Sequence, residues 1–367
     1  MNLLFVTREG IDNPGARLRC YGWAGFLKEK YKVNAEVFSF VDRLNARAGI
    51  NEEGFSYFEK IGILGKSFFS LLGLSGHNTC FVINRVNYHS LSVKVISMLR
   101  KARFILDVDD WESDLPKYRT AAVKLLQKLA RESLFCLSGS KFLQLYLKVY
   151  NPRSYYLPTG IDMSLFNRNN MGSNVKKNGK VILSWHGTVN RRENVQEIFF
   201  LLDIFSLLQQ AKVKNIELRI IAGGFFRKEV EEEIKRRRIK NVFLDKWVRW
   251  NNVPLYLDRI DIGVVPLEQS IYNASKSPTK IFEYMAAGKA VVASCVGEAK
   301  EIIRDNIDGI LCKSKEDFVC QIESIIKDRK KREDLGRNAR IRVKEKYSLE
   351  TIVNQLYNIM YENGVVN

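Results

Sequence analysis

Hydrophobic residues occur along this chain in short, nearly unbroken runs, separated by longer segments in which they return every three or four positions. The short runs, rich in Val, Ile, Leu and Phe, predict strands buried on both faces, and the longer ones predict amphipathic helices. Leu3 to Val6 is the first strand, followed by a loop bearing Gly15 and a helix through about Lys30. Phe81 to Asn84, Phe104 to Val108, Leu134 to Leu137 and Tyr155 to Leu157 continue the series. Residues 167–180, NRNNMGSNVKKNGK, are polar and aperiodic and predict a linker. The pattern restarts at Val181 to Trp185 and runs through Leu218 to Ala222, Val242 to Leu244, Ile262 to Val265, Ala290 to Ala293 and Ile310 to Leu311. Strands alternating with helices predict an α/β protein with parallel sheets. The double run predicts two doubly wound domains, residues 1–166 and 181–345, meeting across a cleft with ligands at the carboxyl ends of the strands.

One segment fits two descriptions. Phe58 to Leu74 mixes apolar bulk with Lys60 and Lys66. It reads as a core helix or as a surface helix that dips into lipid headgroups.

A chain of 367 residues accommodates two such cores, and 46% hydrophobic with 27% charged residues is a globular composition. No run approaches the ~18 to 20 apolar residues of a membrane span. The opening MNLLFVTREG lacks the basic flank and cleavage site of a signal peptide, so a cytoplasmic protein is expected. Six cysteines, at 20, 80, 136, 295, 312 and 320, form no C-x-x-C pair and read as reduced, buried thiols. The three histidines, His77, His89 and His186, share no ligand spacing, which argues against a zinc site or a serine–histidine triad. A net charge of +18 calls for an anionic partner: nucleic acid, an anionic membrane or a phosphorylated small molecule. Nucleic acid is disfavoured because no face interleaves aromatic with basic residues and no reading module is present.

The stretch SKSPTKIFEYMAAGK, residues 275–289, carries the most chemistry. Ser277 and Pro278 read as the N-cap and first residue of a helix, with Thr279 second and Glu283 sixth. The free N–H groups of a helix start form an anion site. Lys276 and Lys280 beside it disfavour an empty helix and suit one that holds a diphosphate. Glu283, further along, has the acceptors to take two ribose hydroxyls. An ordinary surface helix has the same spacing.

PTKIFEYMAAGKAVVAS, preceded by DIGVVPL and followed by VGEAKEIIRDNIDGIL, resembles the donor-binding segment of retaining nucleotide-sugar glycosyltransferases of the GT-B fold, often called group 1. MNLLFVTREG, FILDVDDW, YYLPTGID and GRNARIRVKEKYSLETIVNQLY resemble further segments of that family in the same order, so the likeness spans nearly the whole chain. The resemblance implies two Rossmann-like domains, the first facing the acceptor and the second binding the nucleotide sugar, with residues 346–367 returning to the first. It implies a ribose contact at Glu283 and backbone contacts to phosphates and sugar from Lys276, Ser277, Pro278 and Thr279. The family's other signature glutamate falls on Ser275. Its diphosphate-facing arginine and lysine fall on Thr188 and Glu193, next to Gly187. Arg191 and Arg192 stand close by to supply charge, so Lys280 and Arg191 are the expected catalytic cations, with Thr188, Gly187 and Arg192 at the donor. Gly15, with Arg17 and Arg19, resembles the loop that approaches the donor phosphates, and Trp247 and Val248 fall near the nucleobase.

Asp107 to Asp110 invite three readings: a divalent-metal site, an acceptor contact with Asp109 foremost and catalytic, or a structural turn. Because the family stabilises its leaving group with basic residues, neither a metal nor another cofactor is expected. Arg85 and His186 follow strands and are further site candidates. The expected partners are a nucleotide sugar, a glycan or lipid-linked acceptor such as a surface-polysaccharide precursor, and an anionic membrane surface at which a cytoplasmic enzyme attaches peripherally. A catalytically weak nucleotide-sugar binder of the same fold is the alternative, since Ser275, Thr188 and Glu193 depart from the pattern.

Overall fold

The computed structural model describes residues 2–44, 56–76, 78–111, 119–167 and 179–366, so most of the expected linker and His77 lie outside the described residues. Two compact units emerge: Met1–Asp162 with Ala274–Ser277 and Leu349–Asn367, and Met163–Asn273 with Pro278–Ser348.

The first unit is built on a parallel six-stranded sheet of β1 (Asn2–Thr7), β2 (Ala35–Ser39), β3 (Thr79–Asn84), β4 (Arg103–Val108), β5 (Cys136–Ser138) and β6 (Ser154–Tyr156), in the order β2-β1-β3-β4-β5-β6. Successive side chains leave a strand on opposite faces, and the apolar runs feed two cores. Leu3 and Phe5 join α1 (Trp23–Tyr31) and α11 (Leu349–Glu362). Leu4 and Val6 join the layer of α2 (Tyr57–Leu74), α3 (Tyr88–Arg100), α4 (Arg119–Glu132) and α5 (Lys141–Lys148). The strand β2 was not apparent in the sequence, because Glu36 interrupts its short apolar run at the sheet edge.

The second unit holds β7 (Val181–Thr188), β8 (Ile216–Gly223), β9 (Val242–Asp245), β10 (Ile262–Val265), β11 (Ala290–Ser294) and β12 (Ile310–Cys312), all parallel, in the order β12-β11-β10-β7-β8-β9. Its helices include α6 (Arg192–Gln210), α7 (Arg227–Arg237), α8 (Thr279–Ala286), α9 (Lys315–Lys327) and α10 (Arg329–Lys346). The sequence placed the end of β7 at Trp185, but the strand continues through Gly187 to Thr188.

Among the cysteines, 20, 80, 136 and 312 are buried as expected, whereas Cys295 is half-buried and Cys320 exposed on α9. Burial pushes the Cys80 thiol up to about 12 and the Cys136 thiol to about 11, which keeps both protonated.

Polar groups meet at the carboxyl ends of β1, β3 and β4. Arg19 is fully buried, its Nε 2.9 Å from Asp107 Oδ2 and its Nη1 donating to the Leu157 carbonyl at 2.7 Å. Asn84 Nδ2 donates to Asp107 at 2.9 Å, and Trp23 covers the guanidinium at 4.4 Å. Burial pushes the Asp107 carboxyl up even with Arg19 beside it. A charge left alone there is costly. Arg19→Met should cost about 3–5 kcal/mol of stability in urea unfolding, and adding Asp107→Leu should restore a good part of it. An undiminished midpoint in Arg19→Met would contradict this account.

Candidate functional site

In the second sheet the strand order reverses between β7 and β10, and open α/β sheets take ligands at the carboxyl ends beside such a reversal. There β7 delivers His186, Gly187 and Thr188, and the chain after β10 leads to α8.

The start of α8 corrects the sequence reading by one residue. Pro278, at φ −77 and ψ 92, is the N-cap, and Thr279 is the first helical residue. Pro278 supplies the first carbonyl, accepting from Ile281 N–H at 3.0 Å. The Ser277 hydroxyl is turned elsewhere and accepts from the Thr159 N–H at 3.3 Å. The N-cap residue Pro278 contributes no side-chain hydrogen bond to this positively polarised end.

Lys280 adds a full charge to that end. Its Nζ lies 2.9 Å from Glu197 Oε2 and 4.0 Å from the centre of the Trp185 ring. Glu197, on α6, is wholly buried; Trp185 Nε1 donates to the same oxygen at 3.2 Å and Asn194 Nδ2 to the other at 3.4 Å. Gly187, at φ +155, borders this group, since a Cβ there would sit 3.3 Å from the Trp185 ring and 3.4 Å from Lys280 Nζ. An L side chain would be strained at that backbone angle and would crowd the lysine.

One turn on, Glu283 Oε2 lies 2.7 Å from His186 Nε2. With an ionised carboxylate, which only accepts, the bond takes the tautomer that donates from Nε2. The His186 Nδ1 is buried without a hydrogen-bond partner among the described residues. Beside it, the edge of Tyr284 meets the imidazole at 4.8 Å, and the Tyr284 hydroxyl donates to the Ser184 carbonyl at 2.9 Å. Burial raises that phenol's pKa well above its ordinary value, so it stays protonated. Gly263 of β10 makes room for the ring, which a Cβ would meet at 2.3 Å.

Other sequence candidates are dispersed. Arg191 lies over the buried Tyr272 ring at 4.9 Å, whereas Arg192 is exposed and paired with Glu229 at 2.6 Å. Thr188 is exposed and Glu193 half-buried. Trp247, half exposed, lies on the backbone of Gly223, where a Cβ would strike its ring at 2.5 Å; Val248 follows it, partly buried. Ser275 is fully buried and Lys276 nearly so. A separate cavity of about 620 Å³ beyond β10 to β12, lined by Leu267, Ser294, Cys295 and Lys315 among others, includes none of Lys280, Glu283 and His186.

Residues 168–342 match the family described as glycosyl transferases group 1. Over that stretch, just under half of its length, the chain is similar to that family. A stretch of 57 residues, 16% of this chain and 14% of the relative, is 44% identical to TuaH of Bacillus subtilis (strain 168), named provisionally as a teichuronic acid biosynthesis glycosyltransferase. The chain thus spans only a small part of that curated relative in the match. Across 99% of the chain the fold follows Anabaena Alr3699/HepE, solved with UDP and glucose (all of that chain, TM-score 0.71, 15% identity). It also follows sucrose-phosphate synthase from Thermosynechococcus elongatus (99% of each chain, TM-score 0.74, 16% identity). The fold is the one seen in GT-B glycosyltransferase structures: two parallel six-stranded sheets flanked by helices.

Two expected site residues lie in the first unit. Asp109 is nearly buried and gripped by Arg85, with Nε to Oδ1 2.7 Å and Nη2 to Oδ2 3.0 Å. Burial alone pushes the Asp109 carboxyl up, but the Arg85 guanidinium prevails and holds it below the usual carboxylate range. Gly15, whose N–H donates to Asn13 Oδ1 at 2.9 Å, packs on this pair; a Cβ would come within 2.8 Å of Arg85 and 2.9 Å of Asp109. In the Asp107 to Asp110 run, Asp107 is paired with Arg19 and Asp109 with Arg85.

Sequence reasoning missed Glu197. Its signal was a lone carboxylate on the apolar side of a helix, next to Ile198 and one turn before Leu201. Glu197→Ala should cost roughly 3 kcal/mol of stability by stranding Lys280. In the Glu197→Ala/Lys280→Met double variant, a non-additive recovery of at least about 1 kcal/mol is expected from a double-mutant cycle in urea. Strict additivity would show that the two side chains are not coupled.

Proposed function

We propose that this group 1 glycosyltransferase moves a sugar from a nucleoside-diphosphate donor to an acceptor hydroxyl with retention of configuration, on a lipid-linked or surface-polysaccharide precursor. The observation that carries the reading is the meeting of the α8 N-terminus, Lys280 beside it and Glu283 one turn deeper at the strand reversal of the second sheet. The UDP and glucose in the HepE structure and the teichuronic acid assignment of TuaH support this choice of donor and acceptor class.

In this reading the diphosphate lies at the N–H groups of Thr279 and Lys280, with Nζ of Lys280 and Arg191 as cations. These dipoles and charges are in place before the bond breaks, so they stabilise developing charge without reorganisation. The donor's C1–O bond breaks, the diphosphate takes the electron pair, and the acceptor oxygen attacks C1 from the same face. Its proton passes to a diphosphate oxygen, so the chain need supply no nucleophile or general base. Glu283 accepts the ribose hydroxyls with the lone pairs that His186 leaves, and His186 Nδ1 is an acceptor for one more hydroxyl. Residues 276–278 line the loop before the helix; Gly187 keeps the approach to Lys280 clear. Trp247 and Val248 stand by the base. Arg85 holds Asp109, which leaves that carboxylate a positioning part. A nucleotide-sugar binder of low activity is the second reading, favoured by the full engagement of Lys280 with Glu197.

Thermal shift with UDP-sugars tests the donor site. Stabilisation is expected in the parent and its loss in Glu283→Ala; equal stabilisation of both proteins would overturn the ribose assignment. Lys280→Ala should lower turnover by about 10²-fold with a smaller change in donor affinity. Equal turnover in both proteins would remove Lys280 from the mechanism, and no turnover by the parent would favour the binder.

A further inference from the structure

The helices α2, α3, α4 and α5 cover one face of the first sheet, each contributing to a single core through pairs such as Val93 and Ile96 of α3 or Leu143 and Leu147 of α5. A helix that has buried one apolar stripe normally turns a polar face outward. Here the outward face is apolar again. On α3 the exposed positions Leu91, Val95, Met98 and Leu99 follow helical spacing, with Met98 71% and Leu99 68% exposed. Phe58, Ile61 and Phe69 do the same on α2, and Phe142, Leu145 and Val149 at α5. Soluble proteins seldom expose apolar side chains so densely without a partner for them.

Charge decides the partner. The four helices carry ten Lys and Arg against two acids, Glu59 and Glu132. Both acids are used locally: Glu59 caps the start of α2, and Glu132 pairs with Lys94. Lys66, Lys124, Lys128 and Lys148 are exposed on the same layer. A second copy would bring the same excess of positive charge to the contact and be repelled. Apolar side chains that enter the acyl boundary, ringed by cations that meet lipid phosphates, are the pattern of interfacial docking. No helix among the described residues is long and apolar enough to cross a membrane.

We propose that the outer face of α2, α3 and α5, with the lysines of α2, α4 and α5, seats this chain on an anionic lipid surface. This deepens the lipid-linked acceptor reading, on which it rests for its purpose, but uses no residue of the donor site. Co-sedimentation of the full chain with phosphatidylcholine vesicles, with and without phosphatidylglycerol, tests it. Binding is expected only with phosphatidylglycerol, weakening as salt rises. It should fall at least about tenfold in Met98→Glu/Leu99→Glu and in Lys124→Glu/Lys128→Glu. Absence of binding to anionic vesicles, or equal binding by the variants, would overturn the proposal. So would a dimer abolished by Met98→Glu/Leu99→Glu without vesicle binding, which would assign the face to a second copy. The UDP thermal shift should persist in these variants; vesicle binding without any UDP shift in the parent would leave the docking face standing and remove the donor reading.

Discussion

Lys280 places a full positive charge beside the positively polarised start of α8, and that accumulation has to be neutralised. In the structure the buried carboxylate of Glu197 does so, held in place by Trp185 and Asn194. The surrounding sequence follows from this arrangement. Gly187 leaves the lysine its space, Gly263 admits Tyr284, and Tyr284 backs His186 against Glu283. The N-cap, Pro278, adds no side-chain hydrogen bond at that end.

The first unit handles buried charge differently. At the carboxyl ends of its strands two arginines, Arg19 and Arg85, meet two aspartates, Asp107 and Asp109, with Asn84 between them. The set is electrically closed, since every carboxylate has a cation. Gly15 rests directly on it, so the loop packs against the charge pairs. The two units thus share an architecture of parallel strands and differ in their buried charge: the first pairs arginines with aspartates, the second a lysine at a helix start with a buried glutamate.

Much of this was legible in the sequence because parallel strands buried on both faces are written as solid apolar runs. Ile262–Val265 was read to the residue, and Val242–Asp245 to within one. The fold class and the family likeness in PTKIFEYMAAGK came through for the same reason, since local pattern and spacing carry both. What was not legible depended on contacts distant in sequence. Ser277 looks like a helix cap until Thr159, more than a hundred residues earlier, takes its hydroxyl. The arginines that pair with Asp107 and Asp109, Arg19 and Arg85, are likewise not adjacent to them in sequence. Glu197 was passed over because a glutamate inside an apolar stripe has no local explanation; its partner Lys280 lies 83 positions away.

The central claim is that the mouth of α8 receives the diphosphate of a nucleotide. A crystal structure of the chain with UDP tests it most directly. The account predicts phosphate oxygens within hydrogen-bonding distance of the Thr279 and Lys280 N–H groups and Lys280 Nζ, with the ribose hydroxyls on Glu283. A nucleotide bound elsewhere, with the α8 mouth empty, would contradict it.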